Sequence, residues 1–383
     1  MTHDVIVVGL GAAGSAAAFQ LARRGVRVLG FDPLDPPHAH GSSHGETRIT
    51  RQAIGEGDAY VPLVLRSNEI FHEVERLAGV SLLTQTGGLW ISSPARQAET
   101  HVANFFDNTL AAARRFGIEH EVLDAAAIRG RFPQFDVRDN EVGYYERGAG
   151  FLRPEACVAA QLGLARKHGA EIHTGERVVR ITGSGVVTDR ATYFAGRVIL
   201  CVGAWIRRFL PPERAREFRV TRQVQYWYEV RGPIDAFEAP RFPCWIWELQ
   251  ERHNVIYGFP AIDGPTGGLK LATETYRVEL SEGEIDAARG EVSEAEKRGM
   301  HETLVAPYLP ALGPRCIRAA ACLYTATPDF HFLIDRHPEL DNTIVASPCS
   351  GHGFKHSAAV GEILADLATE GATRFDIAPF RWR

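Results

Sequence analysis

Val5-Ile6-Val7-Val8 is an unbroken apolar, β-branched run, the pattern of a short strand buried on both faces of a parallel sheet. Gly9-Leu10-Gly11-Ala12-Ala13-Gly14 follows at once. Residues 15–24 are alanine-rich and predict a helix closed by Gly25, and residues 26–31 predict a second strand ended by Asp32. A similar order returns near the other end. Residues 332–335 and 342–347 read as strands. The second feeds a glycine-rich turn, 348–357, and then a helix carrying Ala358, Val360, Gly361, Ile363, Leu364 and Leu367. Between these ends, 171–173, 178–181 and 197–200 read as short strands, the last entering a turn at Gly203. Residues 223–230, 244–248 and 255–259 predict longer strands of another sheet.

The first unit has a specific physics. Gly9 permits a tight turn, Gly11 lets the backbone approach a pyrophosphate, and Gly14 lets helix and strand pack closely. The helix start offers free N–H groups and the positive end of its dipole to phosphates. Asp32, about 20 residues past the glycines, is placed to accept from a ribose hydroxyl pair, which argues against a 2′-phosphate and hence against NADP. Strand, turn, helix, strand and acid in this order predict dinucleotide binding. The unit alone does not separate NAD from FAD.

Two further segments carry charge in unusual places. Residues 41–51 are loop-like and hold His44, Arg48 and Arg51 within eight residues. They read either as a solvated basic loop or as a cluster facing a cofactor ring and an anionic substrate, a task suited to the planar guanidinium fork. In the C-terminal turn, Lys355 is expected in the first turn of a helix, where a cation opposes the helix dipole. It either points to solvent or has a function there.

Composition narrows the classes. A chain of 383 residues suits two interleaved domains, and its hydrophobic content of 45% is ordinary for a globular protein. A net charge of −5 argues against nucleic acid as a partner. The six cysteines lack CxxC spacing, so neither a zinc site nor a disulfide framework is expected, and no metal is assigned. No secretory signal and no apolar run near 18 residues is visible, so a cytoplasmic protein without membrane attachment is expected.

The chain resembles the monomeric sarcosine oxidase and N-methyltryptophan oxidase family over nearly its full length. The resemblance is carried by DVIVVGLGAAG, by DPPHAHGSSHGETRITRQAIGEGDAYVPL, by YGFP with GGLKL, and by ACLYTATPDFHFLID with SGHGFK, in the family's order. It implies FAD as cofactor, tied through an 8α-thioether to Cys322, and a monomer acting on an amino acid and O2. It further implies that Arg51 and Lys355 bind the substrate carboxylate, that Lys270 activates oxygen beside flavin N5, and that His44 and Arg48 line the flavin. Tyr257 and Tyr324 would face the substrate and Val178 the adenine. Gly9, Gly11, Gly14, Asp32, Gly351, Gly353 and Phe354 would complete the cofactor site. Ile246 and Glu274 are expected on the substrate wall. Glu274 stands where well-known family members carry histidine, and Trp245 and Trp247 are also expected near that wall.

The fold implied is α/β (α+β overall). A discontinuous Rossmann-type FAD-binding domain takes residues 1–84, 149–216 and 319–383. A mainly antiparallel-sheet substrate domain takes 85–148 and 217–318. The function implied is oxidation of an N-methyl amino acid to an imine, which hydrolyses to formaldehyde and a primary amine, with hydrogen peroxide formed. The rival readings are an oxidase of a cyclic imino acid or a D-amino acid, a nucleotide-binding protein without turnover, and an NAD-dependent dehydrogenase. The last leaves Cys322 and SGHGFK unexplained.

Overall fold

The computed structural model describes residues 3–93, 101–249, 254–287 and 290–383. His3–Val8 lies inside a parallel sheet, between Val28–Asp32 and Thr192–Leu200. Val5 to Val8 are all buried, which is why the run shows no polar alternation. Glu171–Thr174 extends the sheet on one side. Thr343–Ser347 extends it on the other, with Leu333–Arg336 antiparallel beyond. The early part of Thr192–Leu200 also carries a small antiparallel meander, Gly185–Thr188 and Val178–Thr182.

The helix Ala12–Ala22 packs against both Pro154–Lys167 and Ser357–Thr369 beside this sheet. The first begins three residues earlier than its alanine pattern suggested, because Gly11 already stands as its N-terminal flank. A Cβ at Gly361 would lie 2.5 Å from the Ala16 Cβ, so close helix contact requires glycine there.

The second sheet has eight strands in the order Leu312–Ala326, Arg219–Val230, Leu269–Glu274, Asn254–Gly258, Cys244–Leu249, Gly88–Ser92, Val142–Glu146 and Glu121–Asp124. All neighbours are antiparallel except Cys244–Leu249 and Gly88–Ser92. The mainly antiparallel character expected from the strand patterns is therefore present. Leu312–Ala326 runs straight through position 318/319. Its ladder to Arg219–Val230 continues past Cys322, which pairs with Gln223, so Cys322 and Tyr324 sit on the second sheet and not on the parallel one.

Strand alternation corrects one expectation. Trp245 and Trp247 do not approach the substrate wall. Both are buried in the core of the second sheet, packed edge-on against Phe135, while Ile246 between them faces the opposite way and lines the large cavity. A third, three-stranded sheet, Arg48–Thr50, Gly150–Leu152 and Leu83–Gln85, anchors the basic loop. No helix among the described residues is long and apolar enough to cross a membrane.

Candidate active site

The two glycine-rich turns open onto one cavity of about 770 Å³, in the upper range for a small-molecule or cofactor site. At one end Gly9, Gly11, Asp32 and Val178 form the wall. Gly9 has φ +83°, and a Cβ there would meet the Cys201 carbonyl oxygen at 2.5 Å. Gly14 is not on the cavity wall. A Cβ on it would overlap the Gly9 carbonyl, so it serves helix–strand packing. Asp32 accepts the Leu10 N–H at 2.9 Å and the Leu34 N–H at 3.0 Å, which fixes its carboxylate at the end of its strand. These features fit a dinucleotide: bare backbone at the turn, a helix start and an oriented acid.

The second turn lines the cavity with Gly351, Gly353, Phe354 and Lys355. A Cβ at Gly353 would lie 1.7 Å from the Pro348 oxygen, so only glycine closes the turn. Lys355 lies in the single turn Phe354–His356, ahead of the helix Ser357–Thr369 and not within it. It is buried and donates to the His352 carbonyl at 2.8 Å, so it does not point to solvent.

The basic loop is also no solvated surface. His44 and Arg51 are buried, and Arg48 and Arg51 face the cavity. Glu155, in the first turn of Pro154–Lys167, accepts the Gly45 N–H at 2.6 Å, and the Ser42 hydroxyl donates to the Leu323 carbonyl at 2.7 Å. Glu146 accepts the Gln52 and Ala53 N–H groups at 2.6 and 3.0 Å, which holds the backbone just after Arg51. Three distant elements thus pin one loop.

Lys270, Cys322 and His44 are not on the cavity wall; Lys270 and Cys322 neighbour Arg48, which is on it. Lys270 donates to the Gly45 and Thr47 carbonyls at 2.5 and 2.9 Å, and the Phe259 ring centroid lies 4.7 Å away. Burial pushes its ammonium well below the usual lysine value, and Arg48 adds to that. The Cys322 sulfur lies 3.9 Å from an Arg48 guanidinium nitrogen, while the Arg48 fork donates to the Thr47 and Ser42 carbonyls. Tyr324, two residues along the same strand face, meets Tyr257 hydroxyl to hydroxyl at 3.3 Å. Burial raises both phenols above their usual value, so both stay protonated.

Around Arg51 and Lys355 the structure adds residues that the sequence did not single out. Glu56 is buried, and its carboxylate lies 2.6 Å from Arg51 and 3.7 Å from Lys355. His101 lies 3.5 Å from Glu56 on one side and pairs closely with Glu274 on the other. Tyr276 donates to Glu274 at 2.8 Å. Arg51, Glu56, His101, Glu274 and Tyr276 therefore form one continuous chain of contacts, buried at Arg51 and Glu56 and half-buried at Glu274 and Tyr276. Burial would raise Glu56, but Arg51 and Lys355 hold it well below the usual carboxylate range. Burial lowers Lys355 to about 8 against the pull of Glu56. Burial would also lower His101, yet Glu274 and Glu56 raise it to about 9. Glu56 lies inside the family motif, just after the basic loop, where its sequence context did not single it out, and no local signal marks His101. Only the tertiary fold brings them to Arg51.

Comparison with known proteins agrees with this architecture. Residues 4–367 match the family described as FAD dependent oxidoreductase. Monomeric sarcosine oxidase of Streptomyces avermitilis is 42% identical, over 99% of this chain and 97% of its own. N-methyl-L-tryptophan oxidase of Shigella dysenteriae is 34% identical, over 100% and 99%. A solved mutant of NikD, described as an unusual amino acid oxidase essential for nikkomycin biosynthesis, superposes with a TM-score of 0.83 at 25% identity, over 99% and 97%. The L-proline dehydrogenase of P. horikoshii shares the fold, with a TM-score of 0.79 at 20% identity over 99% and 96%. The dinucleotide cradle and the full-length family match agree: this chain belongs to the FAD-dependent oxidoreductases.

Proposed function

We propose that the protein oxidises secondary amino acids of the N-methyl type, producing an imine that water converts to formaldehyde and the primary amino acid, while O2 becomes hydrogen peroxide. The observation that carries this reading is a set of buried cations, Arg51, Lys355 and His101, at one end of a dinucleotide cavity, beside two protonated tyrosines. FAD, when bound, supplies the redox chemistry, taking a hydride equivalent from the substrate carbon and passing electrons to oxygen.

The chain's own residues supply position and charge. Arg51 and Lys355 receive the substrate carboxylate, which orients the N-methyl group and removes the entropy of a chance encounter. Glu56 occupies Arg51 at 2.6 Å, so the incoming carboxylate displaces it toward His101 and Lys355. Tyr257, Tyr324 and Ile246 exclude water from the reacting end. Lys270 is costly to charge in its buried place, so it holds its proton most firmly when negative charge arises on oxygen next to it. Cys322 is the proposed covalent anchor, with Arg48 and His44 around it. Gly9, Gly11, Asp32, Val178, Gly351, Gly353 and Phe354 hold the remainder of the cofactor. The protein works as a monomer, with residues 1–84, 149–216 and 319–383 holding most of the cofactor and lending Arg51, Tyr324 and Lys355 to the substrate, and 85–148 and 217–318 forming the remaining substrate wall.

The test is a panel of amines read by peroxide and formaldehyde together. N-methyl amino acids are expected to yield both in equal amounts. Peroxide without formaldehyde, from proline, pipecolate or D-amino acids alone, would overturn the N-methyl assignment.

A further inference from the structure

Glu274 ends the strand Leu269–Glu274 and reaches the cavity wall with Tyr257 and Tyr324. Its hydrogen bonds to His101 and Tyr276 both fall on Oε1. Among the described residues, Oε2 accepts none. This oxygen faces the open cavity. A ligand that fills the cavity strips its water, and a carboxylate oxygen desolvated without a donor is costly. The side chain retains 16% exposure, compared with 6% for His101. We propose that Glu274 Oε2 is a specificity acceptor for a neutral hydrogen-bond donor on the substrate side chain: a hydroxyl, a carboxamide or a ring N–H. The enzyme then favours secondary amino acids bearing such a group over N-methylglycine itself. This inference rests on the oxidase reading and names the substrate class of that site.

Charge decides the kind of donor. Arg51, Lys355, His101 and Arg48 put positive charge on this end of the cavity, and Glu56 and Glu274 only part of the balancing negative charge. The substrate carboxylate brings the site closer to neutrality. A second ammonium on the substrate would add an uncompensated buried cation, which is unfavourable. A second carboxylate would meet Oε2, which can only accept and repels it. A neutral donor satisfies Oε2 without changing the charge.

The experiment uses the flavin-loaded protein and matched pairs differing in one donor. N-methylserine is compared with N-methyl-2-aminobutyrate, and N-methylasparagine with N-methylleucine, by anaerobic flavin reduction. In parallel, 3-hydroxypropanoate and butanoate, which carry no amine, are titrated by the change in flavin absorbance. The donor-bearing member of each pair is expected to win by about tenfold or more, and the advantage to fall to about twofold in Glu274→Met. Equal members in the wild type, or an advantage that survives in Glu274→Met, overturns the proposal. So does an equal loss on N-methylglycine, which would place Glu274 at the substrate amine. If Glu274→Met loses its flavin, the wild-type pairs still decide. If no amine reduces the flavin while the acid pair keeps its preference, the oxidase reading fails and the Glu274 assignment stands.

Discussion

Replacing Glu56 by glutamine tests whether this carboxylate is the resting counter-ion of the anion clamp. Its oxygens lie 2.6 Å from Arg51, 3.5 Å from His101 and 3.7 Å from both His352 and Lys355. Breaking a buried ion pair by removing one charge costs about 3–5 kcal/mol. Glutamine keeps the shape and one acceptor for Arg51, and Arg51 retains its bond to the Ala53 carbonyl at 2.7 Å. The lower end is therefore expected, about 3 kcal/mol off the stability of the flavin-loaded, ligand-free protein. Binding of a small carboxylate should change the other way. The ligand no longer competes with an internal anion, so its affinity should rise at least about tenfold, or roughly 1.4 kcal/mol. Denaturant unfolding with and without the carboxylate reads the first effect, and titration by flavin absorbance reads the second. Unchanged stability together with weaker ligand binding would refute the reasoning, because Glu56 would then be helping to hold the ligand.

Three further outcomes are expected. In Cys322→Ser, acid precipitation should leave the yellow colour in the supernatant, whereas the wild-type pellet should keep it; equal partitioning would remove the thioether. Lys270→Met should slow reoxidation of the reduced flavin by O2 by roughly 100-fold or more while changing the reductive half-reaction far less; stopped-flow traces with the reverse order would remove the oxygen role. The affinity for a small carboxylate lacking an amine should be full below about pH 7 and fall as pH rises through 8 and 9. Lys355 loses its proton near 8 and His101 near 9, and each loss removes a cation facing the ligand. Affinity rising from pH 7 to 9.5 would contradict the clamp.

Much of the cofactor half was legible in the chain. A buried parallel strand must be apolar throughout, a backbone that approaches phosphate must be glycine, and an acid must end the second strand; these needs are local, so they write themselves into consecutive residues such as Val5 to Gly14 and Asp32. The same locality revealed the turn around Gly351 and Gly353. Strand existence was also readable, but which face of a strand meets the cavity was not. Trp245 and Trp247 turned into the core and Ile246 out of it because the pleat has a period of two and the register depends on neighbours far away in sequence. Around Arg51 the sequence supplied Arg51, Lys355 and Glu274 through the family resemblance, and the tertiary structure alone added Glu56 and His101. Glu56, His101 and Glu274 come from a loop, the approach to a helix and a strand end, and no spacing rule joins them. Their charges exist in that buried place only because each has the others as partners, and such mutual compensation belongs to the folded arrangement, not to any stretch of the chain.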